Sequence, residues 1–316
     1  MVVGSMTVEA DVVVIGGGPG GYVAALRCAQ LGKDVAIVEE DARLGGICLN
    51  HGCIPTKAII HASDFYDNIK DMAATGVIVK DYTVDYDKMR EWKEGILQKL
   101  GGGIEQLCKK YGVEVIRGRA VFESDKKIHI EGKSDVTAIT FKNAIIATGS
   151  LPIEIPGFPF SNERVMTSRD ALALKEIPHK LVIIGGGYIG TEMGTVYGKL
   201  GSQVHIVEMQ DRLIPTLDKE IVDVVAKKIS EFNVTPHLKS KALGVEDTEN
   251  GVRVSIEEDG TKKDIEADRV LVVVGRKPNT HDMGLDKAGI KLDDHGFIAV
   301  NEQQKTNVEG IFAIGD

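Results

Sequence analysis

Several things are scarce in this sequence, and each shortage excludes something. No apolar run approaches the roughly 20 residues needed to cross a bilayer. No basic stretch leads into an apolar h-region, so neither a membrane partner nor a secretory leader is expected. Basic residues are in the minority, 38 Lys and Arg against 47 Asp and Glu, a net charge of −9. A nucleic-acid partner needs clustered Lys and Arg, and none is expected here. Cysteine is rare as well: the four residues Cys28, Cys48, Cys53 and Cys108 do not form a secreted disulfide framework. The expected location is a reducing cytoplasm, where a disulfide is usually catalytic. Cys48 and Cys53 are not at a metal-ligand spacing, and no metal is expected.

What is present begins with length. The 316 residues are enough for two domains, with 43% hydrophobic and 27% charged residues, as in ordinary globular chains. Met1 to Ser5 read as a short extraneous remnant ahead of Met6 and are set aside. The stretch Gly45-Gly46-Ile47-Cys48-Leu49-Asn50-His51-Gly52-Cys53-Ile54-Pro55-Thr56-Lys57 is the most informative in the chain. On a regular helix, five residues rotate a side chain by about 140°, so the two sulfurs would not share a face. They can meet only if Cys48 sits in non-helical backbone at a helix entrance, which Gly45 and Gly46 permit. A helix N-terminus also makes a thiolate reactive. The pair reads either as a redox disulfide at a helix start or as two buried thiols.

Ahead of it, the apolar run Asp11–Ile15 ends in Gly16-Gly17-Gly18-Pro19-Gly20-Gly21, a G-x-G-x-x-G directly after a strand. A helix from Tyr22 to Leu31 and a strand Val35–Val38 follow, closing on Glu39, 18 residues after Gly21. Strand, glycines, helix, strand and acid together mark a nucleotide site, with backbone approaching a pyrophosphate and a carboxylate for a ribose. Helical periodicity spans Asp87 to Tyr111, with an interruption expected at Gly101–Gly103. Cys28 and Cys108 read as core fillers. Val113 to Thr140 reads as a small antiparallel meander, Asn143–Ser150 as a buried strand with a small-residue turn, and Leu151–Pro159 as a linker.

A second unit repeats the first. Leu181–Ile184 leads into Gly185-Gly186-Gly187-Tyr188-Ile189-Gly190, a helix runs to about Leu200, and Val204–Val207 closes on Glu208, again 18 residues past the last glycine. A carboxylate there bonds a free 2′-hydroxyl and repels a 2′-phosphate, so NAD(H) is favoured over NADP(H). An amphipathic helix from Asp218 to Phe232, short strands to Ile265, and the strand Val270–Val274 follow. The strand ends at Gly275-Arg276-Lys277-Pro278-Asn279, and Thr306–Asp316 is an apolar strand ending in Gly-Asp.

With these motifs in order, the chain resembles the flavin-containing pyridine nucleotide-disulfide oxidoreductases, most closely those of the dihydrolipoamide dehydrogenase type. The glycine loop 16–21, the cysteine stretch, Ala147-Thr148-Gly149, the segment 185–192, Gly275–Asn279 and the closing Gly310–Asp316 carry the resemblance. It implies an α/β fold of two Rossmann-like dinucleotide-binding domains, the second inserted in the first, with small antiparallel meanders. The FAD-binding domain would be 1–150 with 276–316, and the NAD-binding domain 151–275. FAD would be held by Gly16, Gly18, Gly21, Glu39, Gly46, Lys57, Ala120, Thr148, Gly149 and Asp316. NAD would be held by Gly185, Gly187, Tyr188, Gly190, Glu208 and Gly275, with Tyr188 covering the nicotinamide pocket or simply packing. Cys53 would lie against the flavin, Cys48 would exchange with substrate, and Lys57 would pair with Glu192 beside the flavin. His51 carries no expectation.

The same resemblance implies electron flow from dihydrolipoamide, carried by the lipoyl domain of a 2-oxoacid dehydrogenase or glycine-cleavage complex, through the cysteines and FAD to NAD. In the family a further third of chain supplies a homodimer interface and a His–Glu pair for thiol exchange, and this sequence has no counterpart to it. Little lipoamide turnover is therefore expected from the chain by itself. Three alternatives stand beside this: a glutathione- or mercuric-reductase-like enzyme, a non-enzymatic redox sensor, and a two-domain enzyme like thioredoxin reductase. The last carries its redox pair in the second nucleotide domain, whereas here the pair follows the first.

Overall fold

The computed structural model describes residues 6–132 and 134–316. The segment Met1–Ser5 lies outside the described residues. The chain opens with β1 (Met6–Ile15), α1 (Pro19–Gln30), β2 (Val35–Glu39), α2 (Gly46–His51) and α3 (Cys53–Asp71), then α4 (Tyr86–Tyr111). Next come β3 (Glu114–Arg117), β4 (Arg119–Ser124), β5 (Lys127–Glu131), β6 (Val136–Ile146), β7 (Ser150–Pro152), β8 (Val165–Met166) and α5 (Ser168–Ala173). The second glycine loop lies between β9 (Lys180–Ile184) and α6 (Tyr188–Lys199), followed by β10 (Gln203–Val207) and α7 (Lys219–Ser230). The chain closes with β11 (Val234–His237), β12 (Ser240–Asp247), β13 (Val252–Glu258), β14 (Thr261–Ala267), β15 (Arg269–Val272), β16 (Arg276–Pro278) and β17 (Ile311–Ala313).

Two compact units divide these elements. The first holds residues 1–50, 96–151 and 277–316, and the second holds 51–95 and 152–276. In the first, the sheet order is β3-β2-β1-β6-β5-β4, with β17 also on β6. β1 is parallel to both β2 and β6, as buried apolar strands in doubly wound sheets are. β6 is long enough to pair at one end with β5, antiparallel, and at the other with β17, parallel. Val13, Val38, Phe122, Ile139, Ile146 and Ile311 fill the core.

The expected meander is corrected at its first strand. Only β4, β5 and β6 are antiparallel, whereas β3 runs parallel to β2, with Val115 opposite Ile37. A short alternating run states which face is buried but not which neighbour it pairs with. The expected break at Gly101–Gly103 is also absent, and α4 is continuous. Leu97, Ile104 and Cys108 are buried at helical spacing on either side and carry the helix through. That packing offsets a glycine penalty of about 1 kcal/mol per residue.

The second unit repeats the plan. Its parallel sheet has the order β11-β10-β9-β15-β8, and β12-β13-β14 form a separate antiparallel sheet. Tyr197 of α6 is its largest fully buried side chain, and its hydroxyl donates to Ala171 O at 2.8 Å. Burial holds that hydroxyl's pKa well above the usual tyrosine value. Among the described residues no helix is long and apolar enough to cross a membrane.

Candidate functional site

The first glycine loop joins β1 to α1. Gly16 adopts φ +101°, and a Cβ placed there would lie 2.3 Å from Ala147 O. A Cβ on Gly21 would fall 1.8 Å from Gly16 O, so only glycine lets α1 start against the end of β1. Gly18 is the N-cap of α1 and makes no side-chain cap, with Pro19 in the first turn. The helix N–H groups are thus left for a ligand. A Cβ on Gly18 would meet nothing nearer than Gly46 Cα at 3.8 Å, leaving room on that side.

Glu39 ends β2 and turns back to the loop. Its carboxylate accepts from Gly17 N at 2.7 Å and from Asp41 N at 2.7 Å. Burial raises its pKa, against the lowering effect of those two N–H groups. Thr148 and Gly149 follow β6. Thr148 Oγ1 donates to Asn279 O at 2.8 Å, and Asn279 N donates to Gly149 O at 2.9 Å. Ser150 Oγ donates to the Asp316 carboxylate. Ala120 is buried inside β4, paired with Ile130. Loop, uncapped helix, buried carboxylate and open Gly18 face fit the pyrophosphate and ribose of a dinucleotide.

The second loop repeats the motif glycines and closing acid of the first at a constant offset, with Tyr188 and Ile189 where the first has Pro19 and Gly20. Gly185 (φ +106°) lies against Val273 O, and a Cβ on Gly190 would fall 1.9 Å from Gly185 O. Gly187 caps α6 without a side chain, and a Cβ there would meet nothing within 4 Å. Glu208 accepts from Gly186 N at 2.7 Å and from Gln210 N at 2.8 Å. Tyr188, in the first turn of α6, is 54% exposed rather than packed in the core, and its phenol oxygen accepts from Thr216 Oγ1 at 3.1 Å. Gly275 follows β15 and its carbonyl accepts from Ile153 N at 3.2 Å. This loop fits a dinucleotide for the same reasons as the first.

The cysteine stretch departs from the expected backbone. Cys48 lies inside the short helix α2, not in irregular backbone before it, and Cys53 is the first residue of α3. The break needed between them comes at Gly52, whose φ −149° and ψ −109° leave the helical region. The structure carries Cys48 and Cys53 as thiols rather than as the expected disulfide. Gly46, at φ +55°, sits so close to the first loop that a Cβ on it would fall 2.5 Å from Gly18 Cα. That approach places α2 directly against the candidate flavin loop. Neither sulfur is buried: Cys48 is half-buried and Cys53 exposed. Thr56 Oγ1 donates back to Gly52 O at 2.6 Å and steadies the first turn of α3.

Lys57, one turn into α3, meets Glu192 of α6, with Nζ 2.5 Å from Oε1 and side chains 62% and 34% exposed. Some contacts gave no signal in the sequence. His51 Nε2 meets the Arg169 guanidinium, and Lys199 meets Asp64. Asn50 donates to Arg43 O and Leu44 O, both at 3.4 Å. Asn50 and His51 both lie within the cysteine stretch, but neither contact is announced by a motif.

The family model of the pyridine nucleotide-disulphide oxidoreductases matches residues 10–316. The chain belongs to that family. It is similar to dihydrolipoyl dehydrogenase of Bacillus subtilis, 48% identical over 317 residues covering 100% of this chain and 67% of the relative. The enzyme of that name from Geobacillus stearothermophilus is 46% identical over 316 residues with the same coverage. Among solved structures, the HOCl-induced flavoprotein disulfide reductase RclA of Escherichia coli superposes with a TM-score of 0.84 at 28% identity. That match covers 97% of this chain and 66% of RclA. The chain thus spans about two thirds of the length of the relatives it matches. As a member of the family it is a flavin disulfide oxidoreductase, with FAD and NAD(H) as cofactors.

Proposed function

We propose that the chain carries the redox centre of a dihydrolipoyl dehydrogenase, the enzyme that oxidises a dihydrolipoyl dithiol to its disulfide while NAD+ becomes NADH and a proton, with little dithiol turnover by this chain alone. The observation that carries this reading is the Lys57–Glu192 contact at 2.5 Å. It ties the helix that starts at Cys53 to the helix that starts at the second glycine loop.

FAD and NAD(H), when bound, supply the two-electron and hydride chemistry. The protein's own residues hold and charge-match them. Gly16, Gly18, Gly21 and Gly46 give the flavin pyrophosphate access to backbone, and Glu39 takes the ribose hydroxyls. Ala120, Thr148 and Gly149 complete the FAD contacts, and Asp316 takes the ribityl chain. Gly185, Gly187, Gly190 and Gly275 do the corresponding work for NAD, with Glu208 on the ribose and Tyr188 over the nicotinamide pocket.

At the sulfurs, a substrate thiolate attacks Cys48 Sγ, the Cys48–Cys53 bond breaks, and Cys53 leaves as a thiolate. The second substrate thiol then displaces Cys48 and gives its proton to the departing Cys48 sulfur, which closes the substrate disulfide and leaves Cys48 as a thiol and Cys53 as a thiolate, holding the electron pair. Lys57, four residues past Cys53 on the same helix face, steadies negative charge there. Glu192 holds the ammonium of that lysine in an ion pair. The substrate would be a lipoyl group on a lipoyl domain of a 2-oxoacid dehydrogenase or glycine-cleavage complex. The full-length protein with this redox centre would be a cytoplasmic homodimer, its interface supplied by the further third of chain that this sequence does not match.

The absorbance of the purified protein tests this. A flavin band near about 450 nm, bleaching with NADH faster than with NADPH, and a long-wavelength charge-transfer band after one equivalent of dithiol are expected. A flavin band without charge transfer would favour the redox-sensor reading instead.

A further inference from the structure

In the second unit, two ion pairs among the described residues join α3 and α6. Lys57 meets Glu192, and Lys199 meets Asp64, each pair linking residues 135 positions apart. Because both partners advance together, the helices run parallel along this seam, and two helical turns separate the pairs on each. Buried Ile59 lies in the same core cluster as Met193 and Val196 of α6.

The two pairs differ in stiffness. An exposed pair such as Lys57–Glu192 gains little net energy from its attraction in water. Lys199 is only 11% exposed, and its Nζ also lies 4.6 Å from the ring centroid of buried Phe232. Held by a carboxylate and an aromatic face together, it has little freedom. The polarity is also reversed between the pairs: α3 carries the cation first and the anion second, α6 the opposite. Sliding α3 forward along α6 moves Lys57 toward Lys199. Sliding it backward moves Asp64 toward Glu192. Like charges resist either displacement.

We propose that Asp64 and Lys199 are positioning residues of the redox centre, fixing α3 on α6 so that Lys57 stays on Glu192 and beside Cys53. The proposal rests on the role given above to Lys57.

The test uses the whole chain, reduced, with iodoacetamide as probe and the alkylation rate of Cys53 at pH 7 read by peptide mass. Melting temperature is followed alongside. Lys57→Gln is expected to slow Cys53 by about threefold, since a thiolate loses its neighbouring cation. Asp64→Asn and Lys199→Met are expected to give at least half of that slowing, while Asp64→Glu stays with the parent. Loosening of the fold alone would act in the opposite direction, exposing thiols and speeding their alkylation. If the Asp64 and Lys199 variants melt earlier but react at the parental rate or faster, the pair is structural and the proposal fails. If Lys57→Gln itself leaves Cys53 unchanged, the role of Lys57 is wrong and the positioning role falls with it.

Discussion

Glu39 and Glu208 accept hydrogen bonds in the same way from two different glycine loops: each takes the N–H of the loop's second glycine and the N–H two residues beyond itself. A ribose would compete for the same carboxylate oxygens. Replacing Glu208 with Gln keeps an acceptor but removes the charge that repels a 2′-phosphate. The expected result is a KM for NADH raised several-fold and an NADH-over-NADPH preference reduced by about tenfold, roughly 1.4 kcal/mol. Steady-state kinetics with both nucleotides measures it, and an unchanged preference would remove Glu208 from the ribose site.

Glu39 also makes a pH prediction. Burial raises its pKa in the folded protein, so the folded state binds a proton that the unfolded state has released. The resulting stability is complete below the ordinary carboxylate range and is lost as pH rises through the folded pKa. In the flavin-free chain, the melting temperature of Glu39→Gln should therefore gain on the parent as pH rises from about 4 to 7. Parallel melting curves across that range would contradict it.

Two glycines in the first unit should respond oppositely to alanine. At Gly21 a Cβ would sit 1.8 Å from Gly16 O, so Gly21→Ala should abolish flavin retention. At Gly102, inside α4, it would meet nothing within 4 Å. Gly102→Ala should stabilise by about 0.5–1 kcal/mol through helix propensity. Flavin absorbance after dialysis and thermal melting report the two effects.

Tyr197→Phe removes a buried donor and leaves Ala171 O without its hydroxyl partner. A loss of about 1–2 kcal/mol is expected, readable by urea titration. No change would mean that water replaces the hydroxyl.

The four cysteines should label in a fixed order in the reduced protein. Cys53 is exposed, Cys48 and Cys28 are half-buried, and Cys108 is buried in α4. Burial pushes the Cys28 and Cys108 thiols up, with nearby Glu105 adding to the effect at Cys108. Iodoacetamide should therefore modify Cys53 first and Cys108 last. Early loss of Cys108 would mean that α4 opens near its glycines.

The nucleotide loops were legible because everything that defines them is local. Strand, glycines, helix start and closing acid lie within some thirty residues, and the second copy repeats the spacing. The cysteine stretch was legible in its chemistry but not in its backbone: sequence spacing requires a break between Cys48 and Cys53 without saying that Gly52 provides it. β3 was misassigned because its partner β2 lies far back in the chain. The α4 glycines misled because burial at Leu97, Ile104 and Cys108 outweighs local propensity. Asp64 and Lys199 were invisible, being ordinary charges until α3 lies on α6.

The equivalence of the two loops holds up to a single place. Gly45 N donates to Gly17 O at 2.7 Å, and at the matching position Ile214 N donates to Gly186 O at 2.8 Å. There the copies part: one continues through Gly46 into the helix bearing Cys48, the other into Pro215. Past that shared anchor the two backbones diverge, and the sulfurs sit in the divergent span, outside the frame that both nucleotide loops share.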